Sequence, residues 1–315
     1  MEQKDRKRPQ EFILKTTGLT KIYSGRKVVQ NVTMHVKKGD IYGFIGKNGA
    51  GKTTFMRMVA GLARPDAGEI ELFGSTDLER QRVRIGTLIE QPGLYRGMTA
   101  AENLETVRRA YGITDRNAVR DMLAFIGLED AGNKKTADFS MGMKQRLGIA
   151  MALLRNPDFL ILDEPINGLD PQGIRQIRNL LQKLNQERAI TMLIASHILG
   201  ELSKIATVYG MICGGELVEE LDAQDLAAKC RRCQRIVVDH TEQAVHLLEE
   251  ELKIKDYDVP ERHVIRIYEQ LENFAQINQR LALAGVGVKE SYLAGQDLES
   301  YFMDLLENEQ EVSSW

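Results

Sequence analysis

The stretch GKNGAGKTT at 46–54 constrains this chain more than any other feature, because of what flanks it. It satisfies G-x-x-x-x-G-K-[ST] from Gly46 to Thr53, follows the short apolar run IYGFI (41–45), and leads into the helical pattern TTFMRMVAGL. A strand that hands a glycine-rich loop to a helix N-terminus makes a phosphate cradle. Gly49 and Gly51 let the backbone curl so that successive N–H groups face phosphate oxygens, and the helix end reinforces them. Lys52 is placed to reach the β- and γ-phosphates, and the Thr53 hydroxyl to ligate Mg²⁺. The bland alternative is a glycine turn with a chance lysine, and the flanking strand and helix argue against it.

A second feature lies far along the chain. Leu160-Ile161-Leu162 followed by Asp163-Glu164 puts two carboxylates at the end of a buried strand. An Asp there can hold magnesium and an adjacent Glu can orient and deprotonate an attacking water. Acidic residues often follow strands as caps or solvated turns, so the pair gains meaning only beside the phosphate loop.

The text between these features reads as alternating strands and helices. Strands are expected at FILKTTGL, VVQNVTMHV, 41–45, 69–73, 85–89, FLILDE (159–164) and AITMLIAS (189–196), with VYGMICGGELVEE as an edge hairpin. From about Gly93 to Asn156 the pattern turns helical. Thr99 with Glu102 is a capping-box signature, Asp115 and Ser140 are expected caps of the following helices, and Asp170-Pro171 opens another. Such an order implies an α/β fold: a mostly parallel sheet covered by helices, with an antiparallel edge and a helical insertion at 93–156. Beyond about residue 222 the order becomes strand-helix-strand-strand-helix-strand, the split βαβ pattern of a small α+β, ferredoxin-like domain, closed by a helix at QDLESYFMDLLEN. The expected division is a tail at 1–11, a nucleotide-binding domain at 12–221, an accessory domain at 222–308 and a tail at 309–315.

Composition narrows the setting. The 315 residues are 43% hydrophobic and 28% charged, as in an ordinary globular protein. With 42 Lys and Arg against 45 Asp and Glu, no overall basic field recruits nucleic acid. No run of about 18 apolar residues exists to cross a bilayer, so service to a membrane requires a partner. The charged start MEQKDRKRPQ has no apolar segment behind it and does not read as a secretory signal. Three cysteines fit a reducing compartment. The pair Cys230 and Cys233, with His240 and His246 beyond, lacks the further ligands of a metal site and the context of a redox motif, and reads as ordinary thiols.

On the phosphate loop, Asp163-Glu164 and FSMGMKQR (139–146), the chain resembles the nucleotide-binding subunits of ATP-binding cassette transporters over residues 12 to about 221. The resemblance implies a phosphate-loop NTPase cassette with ATP and Mg²⁺ as cofactors and a nucleotide-binding stretch of Gly46, Lys47, Asn48, Gly49, Ala50, Gly51, Lys52, Thr53 and Thr54. It implies Glu164, His197 and Lys52 as catalytic residues, Thr53, Glu90 and Asp163 as metal ligands, and Tyr23 as the aromatic that stacks on adenine. The bland alternative for Tyr23 is a surface strand tyrosine, and His197 alone would mean little without its place after a strand. Ser140, Met141, Gly142 and Met143 form the signature motif, expected to act in trans on the nucleotide of an opposite cassette. Asp170 belongs to the loop joining the two sites, a role compatible with simple helix capping.

Two departures stand out. Glu90 replaces the family's usual glutamine, which keeps an oxygen ligand but adds a negative charge beside the phosphates. Met141 and Met143 replace glycine and glutamine. Both resemble the bacitracin- and lantibiotic-resistance subgroup of exporters, which carries an extra C-terminal domain. The implied function is the ATP-hydrolysing motor of an exporter whose cargo is a peptide antibiotic, working on the cytoplasmic face of the membrane with a transmembrane permease subunit and a second cassette, identical or paralogous. The alternatives are a soluble cassette ATPase acting on the ribosome or nucleic acid, and a slow-hydrolysing ATP-dependent switch.

Overall fold

A computed structural model describes residues 11–295, 300–302 and 305, which fall into two compact units, one ending at Ala223 and one starting at Gln224. The expected tails, apart from Glu11, and most of the closing helix lie outside the described residues.

The first unit begins with two long strands, β1 (Phe12–Tyr23) and β2 (Arg26–Lys37), then the short β3 (Ile41–Ile45) and helix α1 (Lys52–Ala60). Next come β4 (Ala67–Leu72), a short helix α2 (Leu78–Arg82) and β5 (Ile85–Leu88). The helical insertion holds α3 (Ala100–Ala110), α4 (Ala118–Phe125) and α5 (Met141–Leu153). Then follow β6 (Phe159–Asp163), α6 (Pro171–Arg188), β7 (Thr191–Ser196), the single turn α7 (Leu199–Leu202), β8 (Val208–Cys213) and β9 (Glu216–Asp222).

Two sheets result. One is six-stranded, ordered β5-β6-β7-β3-β8-β9, parallel except for the β8–β9 hairpin at its edge. Every residue of β3, β6 and β7 is buried, which is why those strands read as unbroken apolar runs. The other is antiparallel, ordered β2-β1-β4. Helix α1 is buried through Phe55, Met56, Met58 and Val59, in one cluster with Leu14, Val32 and Met34 of the antiparallel sheet and Phe44, Phe159 and Leu193 of the parallel one. Phe55 meets Phe44 with ring centroids 5.2 Å apart. The helix that starts at the phosphate loop is thus fixed by a core that joins both sheets.

In the insertion, α3 opens with a complete capping box between Thr99 and Glu102. The expectation at Asp115 needs correction. Its carboxylate accepts the N–H of Asn117 at 2.9 Å, and α4 begins after Asn117, which makes no side-chain cap. Asp115 closes a local Asx turn ahead of the helix instead of capping it. The middle of α5 packs hard against the segment after β5: a Cβ at Gly148 would lie 2.8 Å from Cβ and Cγ of Pro92 and 3.1 Å from Leu88 Cδ1.

The second unit contains α8 (Ala223–Lys229, its first residue in unit one), β10 (Cys233–Val238), α9 (Thr241–Glu250), β11 (Tyr257–Glu261), β12 (Val264–Ile267), α10 (Phe274–Leu283) and β13 (Val288–Ala294). Its antiparallel sheet is ordered β11-β12-β10-β13, as the split βαβ pattern requires. Ile236, Val238, Ile265 and Ile267 of the strands share a core with Leu247 and Leu248 of α9 and Ile277 and Leu281 of α10. Helix α8 is not foreseen by the sequence pattern. Neither Cys230 nor Cys233 forms a disulfide among the described residues, and Cys233 is buried, its thiol pushed up by that burial.

Candidate active site

The loop from Gly46 to Gly51 leaves the buried β3 and enters α1 with Gly51 at φ +108°, where a Cβ would stand 2.5 Å from Val28 O. Only glycine meets both demands, the left-handed backbone and the close approach. Gly46 and Ala50 are buried, Lys47, Asn48 and Gly49 exposed, and Thr53 and Thr54 half-buried. Lys52 is 5% exposed. Its Nζ donates to Gly46 O at 2.6 Å and Lys47 O at 3.2 Å, closing the loop on itself, and lies 3.6 Å from Glu164 Oε1.

Asp163 ends β6, the strand two places from β3, and this register brings it to the loop. Its Oδ2 accepts the Thr53 hydroxyl at 2.6 Å, while Oδ1 is buried without a hydrogen-bond partner. Burial pushes its pKa up, against the lowering effect of Thr53, and the nearby Glu164 and Glu90 charges add to the rise. An orphaned carboxylate oxygen beside a hydroxyl is an all-oxygen donor set suited to a hard divalent cation.

Glu164 stands at φ +50°, held there by its N–H donating to Ala195 O of the neighbouring β7 at 3.0 Å. Its Oε2 lies 2.8 Å from Nδ1 of His197, one residue beyond β7, and its Oε1 is buried with no hydrogen-bond partner. With Glu164 ionised, the shared proton belongs on Nδ1, which donates; in the neutral ring Nε2 is then an acceptor. Parallel pairing of β3, β7 and β6 therefore collects Lys52, Thr53, Asp163, Glu164 and His197 at one end of the sheet, the place where open α/β sheets bind ligands.

The remaining expected residues sit around this centre. Glu90, at φ +66°, forms an ion pair with Arg57 of α1. Glu90 shares a cleft of about 670 Å³ with Asp163, Glu164 and, from the signature helix, Met141 and Lys144. Ser140 caps α5 by accepting the Met143 N–H at 3.3 Å, Met141 is 47% exposed, and a Cβ on Gly142 would meet nothing closer than 3.8 Å. Asp170 caps α6 through the Gly173 N–H at 3.1 Å, with Pro171 at the first turn. Tyr23 ends β1, 44% exposed, with Lys21 Nζ 5.2 Å from its ring centroid. It makes no hydrogen bond to the loop among the described residues. Arg57 escapes a sequence reading; the available signal is its place four residues after Thr53 on one helix face.

Comparison with known proteins agrees with this geometry. Residues 29–167 match the family model described as ABC transporter. The chain is 42% identical over 297 residues to a bacitracin transport ATP-binding protein of Bacillus licheniformis, covering 93% of this chain and 97% of that one. It is 39% identical over 208 residues to a lantibiotic transport ATP-binding protein of Streptococcus pyogenes, covering 66% and 90% respectively. Among solved structures, a dimeric ATP-binding cassette in a post-hydrolysis state with ADP and Pi superposes with a TM-score of 0.60 at 27% identity, covering 67% of this chain and 98% of that one.

Proposed function

Because the chain belongs to the ABC transporter family, we propose that it is the ATP-hydrolysing motor subunit of an exporter that removes a peptide antibiotic. The observation that carries the ATPase assignment is the one-sided hold on Glu164: His197 fixes Oε2 while Oε1, buried beside Lys52, has no hydrogen-bond partner. A carboxylate pinned at one oxygen presents the other as a base of defined direction, and Oε1 takes the proton of the attacking water. The Gly46–Thr54 backbone and Lys52 bind the polyphosphate, and Tyr23 stacks on the base. Thr53, Asp163 and Glu90 would hold Mg²⁺, which when bound neutralises charge on the phosphate oxygens.

Ser140 and Gly142, at the N-terminus of α5, complete the pocket of an opposite cassette. Supporting this, the Ser140 hydroxyl accepts the Met143 N–H and so keeps its own O–H to donate to a phosphate, and the solved cassette is dimeric. The open space around Gly142 leaves room for a phosphate to approach. Asp170, capping α6, links the two sites.

No helix among the described residues is long and apolar enough to cross a membrane. The transport step therefore needs a transmembrane permease subunit, with this chain on its cytoplasmic face and a second cassette beside it. The antibiotic cargo rests on the names of the bacitracin and lantibiotic relatives. The test is expression with a co-encoded membrane protein. Co-purification from membranes, ATP turnover abolished by Glu164→Gln, and loss of bacitracin resistance in that variant are expected; recovery on ribosomes instead would overturn the exporter reading.

A further inference from the structure

The family's usual residue at position 90 is a neutral amide, and a carboxylate there has an electrostatic consequence that the structure answers. Three carboxylates, Glu90, Asp163 and Glu164, converge where a polyphosphate with several negative charges must sit. All three line one cleft, and the Asp163 and Glu164 carboxylates each keep a buried oxygen without a hydrogen-bond partner there. Lys52 is the phosphate-loop cation that pairs with Glu164 among the described residues, and two of its three donors are spent on Gly46 O and Lys47 O. A further uncompensated carboxylate would repel ATP before any cation arrives.

Arg57 removes that charge. It lies one turn along α1 from Thr53, on the same helix face, and its Nη2 pairs with Glu90 Oε1. The Glu90 backbone is held in the left-handed region, which turns its side chain within reach of α1. Both partners are partly exposed, 38% and 61% by side chain, so the pair can open when a better cation competes for the carboxylate. Helix α1 itself cannot shift to follow, since Phe55, Met56, Met58 and Val59 lock it in the core.

We propose that Arg57 is a positioning residue for nucleotide binding: it serves as the resident counter-ion of Glu90, holding the carboxylate at the metal side of the phosphate loop and cancelling its charge until Mg²⁺ engages it. This rests on the assignment of residues 46–54 as the triphosphate cradle. The exchange is one of ion-pair partners: Arg57 would give up its hydrogen bond to Glu90 when a divalent cation takes the carboxylate, and no covalent bond changes.

Equilibrium binding of a fluorescent ATP analogue to the full-length chain, in EDTA and in saturating Mg²⁺, tests it. Arg57→Met keeps the aliphatic stem and removes the charge. In EDTA it should bind about three- to tenfold more weakly than the parent, the effect of one unscreened charge at the distance of a few bonds' reach through a partly aqueous medium. The deficit should shrink in Mg²⁺ and at high ionic strength. Arg57→Lys should bind as the parent, and the double variant Arg57→Met/Glu90→Gln should recover parental affinity in EDTA. A purely structural role for Arg57 would leave the double variant as weak as Arg57→Met, and that result, or parental binding by Arg57→Met in EDTA, would overturn the proposal. Failure of the parent itself to bind the analogue would instead strike the phosphate-loop assignment.

Discussion

Glu164 Oε2 lies 2.8 Å from His197 Nδ1, while the other oxygen of the same carboxylate points, buried and without a hydrogen-bond partner, toward Lys52 Nζ at 3.6 Å. Under the proposed function, one oxygen orients the carboxylate and the other serves the chemistry. Glu164→Gln keeps a side chain that His197 can hold but cannot take a proton. Single-turnover hydrolysis should fall by about 10²- to 10⁴-fold with ATP still bound. His197→Ala should slow hydrolysis while leaving ATP affinity close to parental, because it frees the carboxylate to rotate. Unchanged turnover in both variants would remove the pair from the catalytic centre.

Lys52 does two jobs, and its loss should be read through binding. Lys52→Ala deletes the tie to Gly46 O and Lys47 O as well as the cation proposed to face the phosphates. Hydrogen bonds involving a charged group are worth about 1.5–3 kcal/mol, so ATP affinity should drop about tenfold or more. Titration calorimetry with ATP checks this, and parental affinity would mean that the phosphates bind elsewhere.

The seam between Gly148 and Pro92 has no room for a methyl group. Gly148→Ala should destabilise the first unit by about 1–3 kcal/mol through overpacking, despite the better helix propensity of alanine. Urea denaturation followed by far-UV circular dichroism would show the lower midpoint; a midpoint at or above the parent's would contradict the close packing.

Tyr42 supplies a pH-dependent contribution whose sign is fixed. The ring is fully buried on β3, and its hydroxyl donates to Glu220 Oε1 at 2.6 Å. Burial first, and then the Glu220 charge, raise its pKa well above 10. The neutral phenol is the form the fold accepts, so its contribution is complete below the unfolded value of about 10 and is lost as pH rises beyond it toward the folded value. Tyr42→Phe should flatten the fall of unfolding free energy between about pH 10 and pH 12. An equally steep fall in the variant would assign the alkaline loss to other groups.

What could be read from the sequence follows the range of the interactions. The run from Ile41 through Thr53 was legible because strand, glycine turn and helix start are written contiguously, and the capping box at Thr99 and the cap at Asp170 depend on residues three apart. Asp115 misled because the same carboxylate that suits a helix cap also suits an Asx turn, and only the backbone path around Asn117 separates the two. The pairing of β4 with β1 and the meeting of Arg57 with Glu90 join segments 33 or more residues apart. Nothing in an alternation of apolar and polar residues states which distant face each will meet. The fixed order of the sheet supplied that information, and Arg57, unremarkable in a helical stretch, gained its significance only there.

The contact of Pro92 on Gly148 also fixes a spacing within the first unit. Pro92 follows Glu90 by two residues, and Ser140 stands about two turns before Gly148, at the N-terminus of α5. A Cβ at Gly148 would already collide with Pro92, so closer approach of the two segments is blocked. The separation of Glu90 and Met141 across the cleft they both line is thereby set by a single seam.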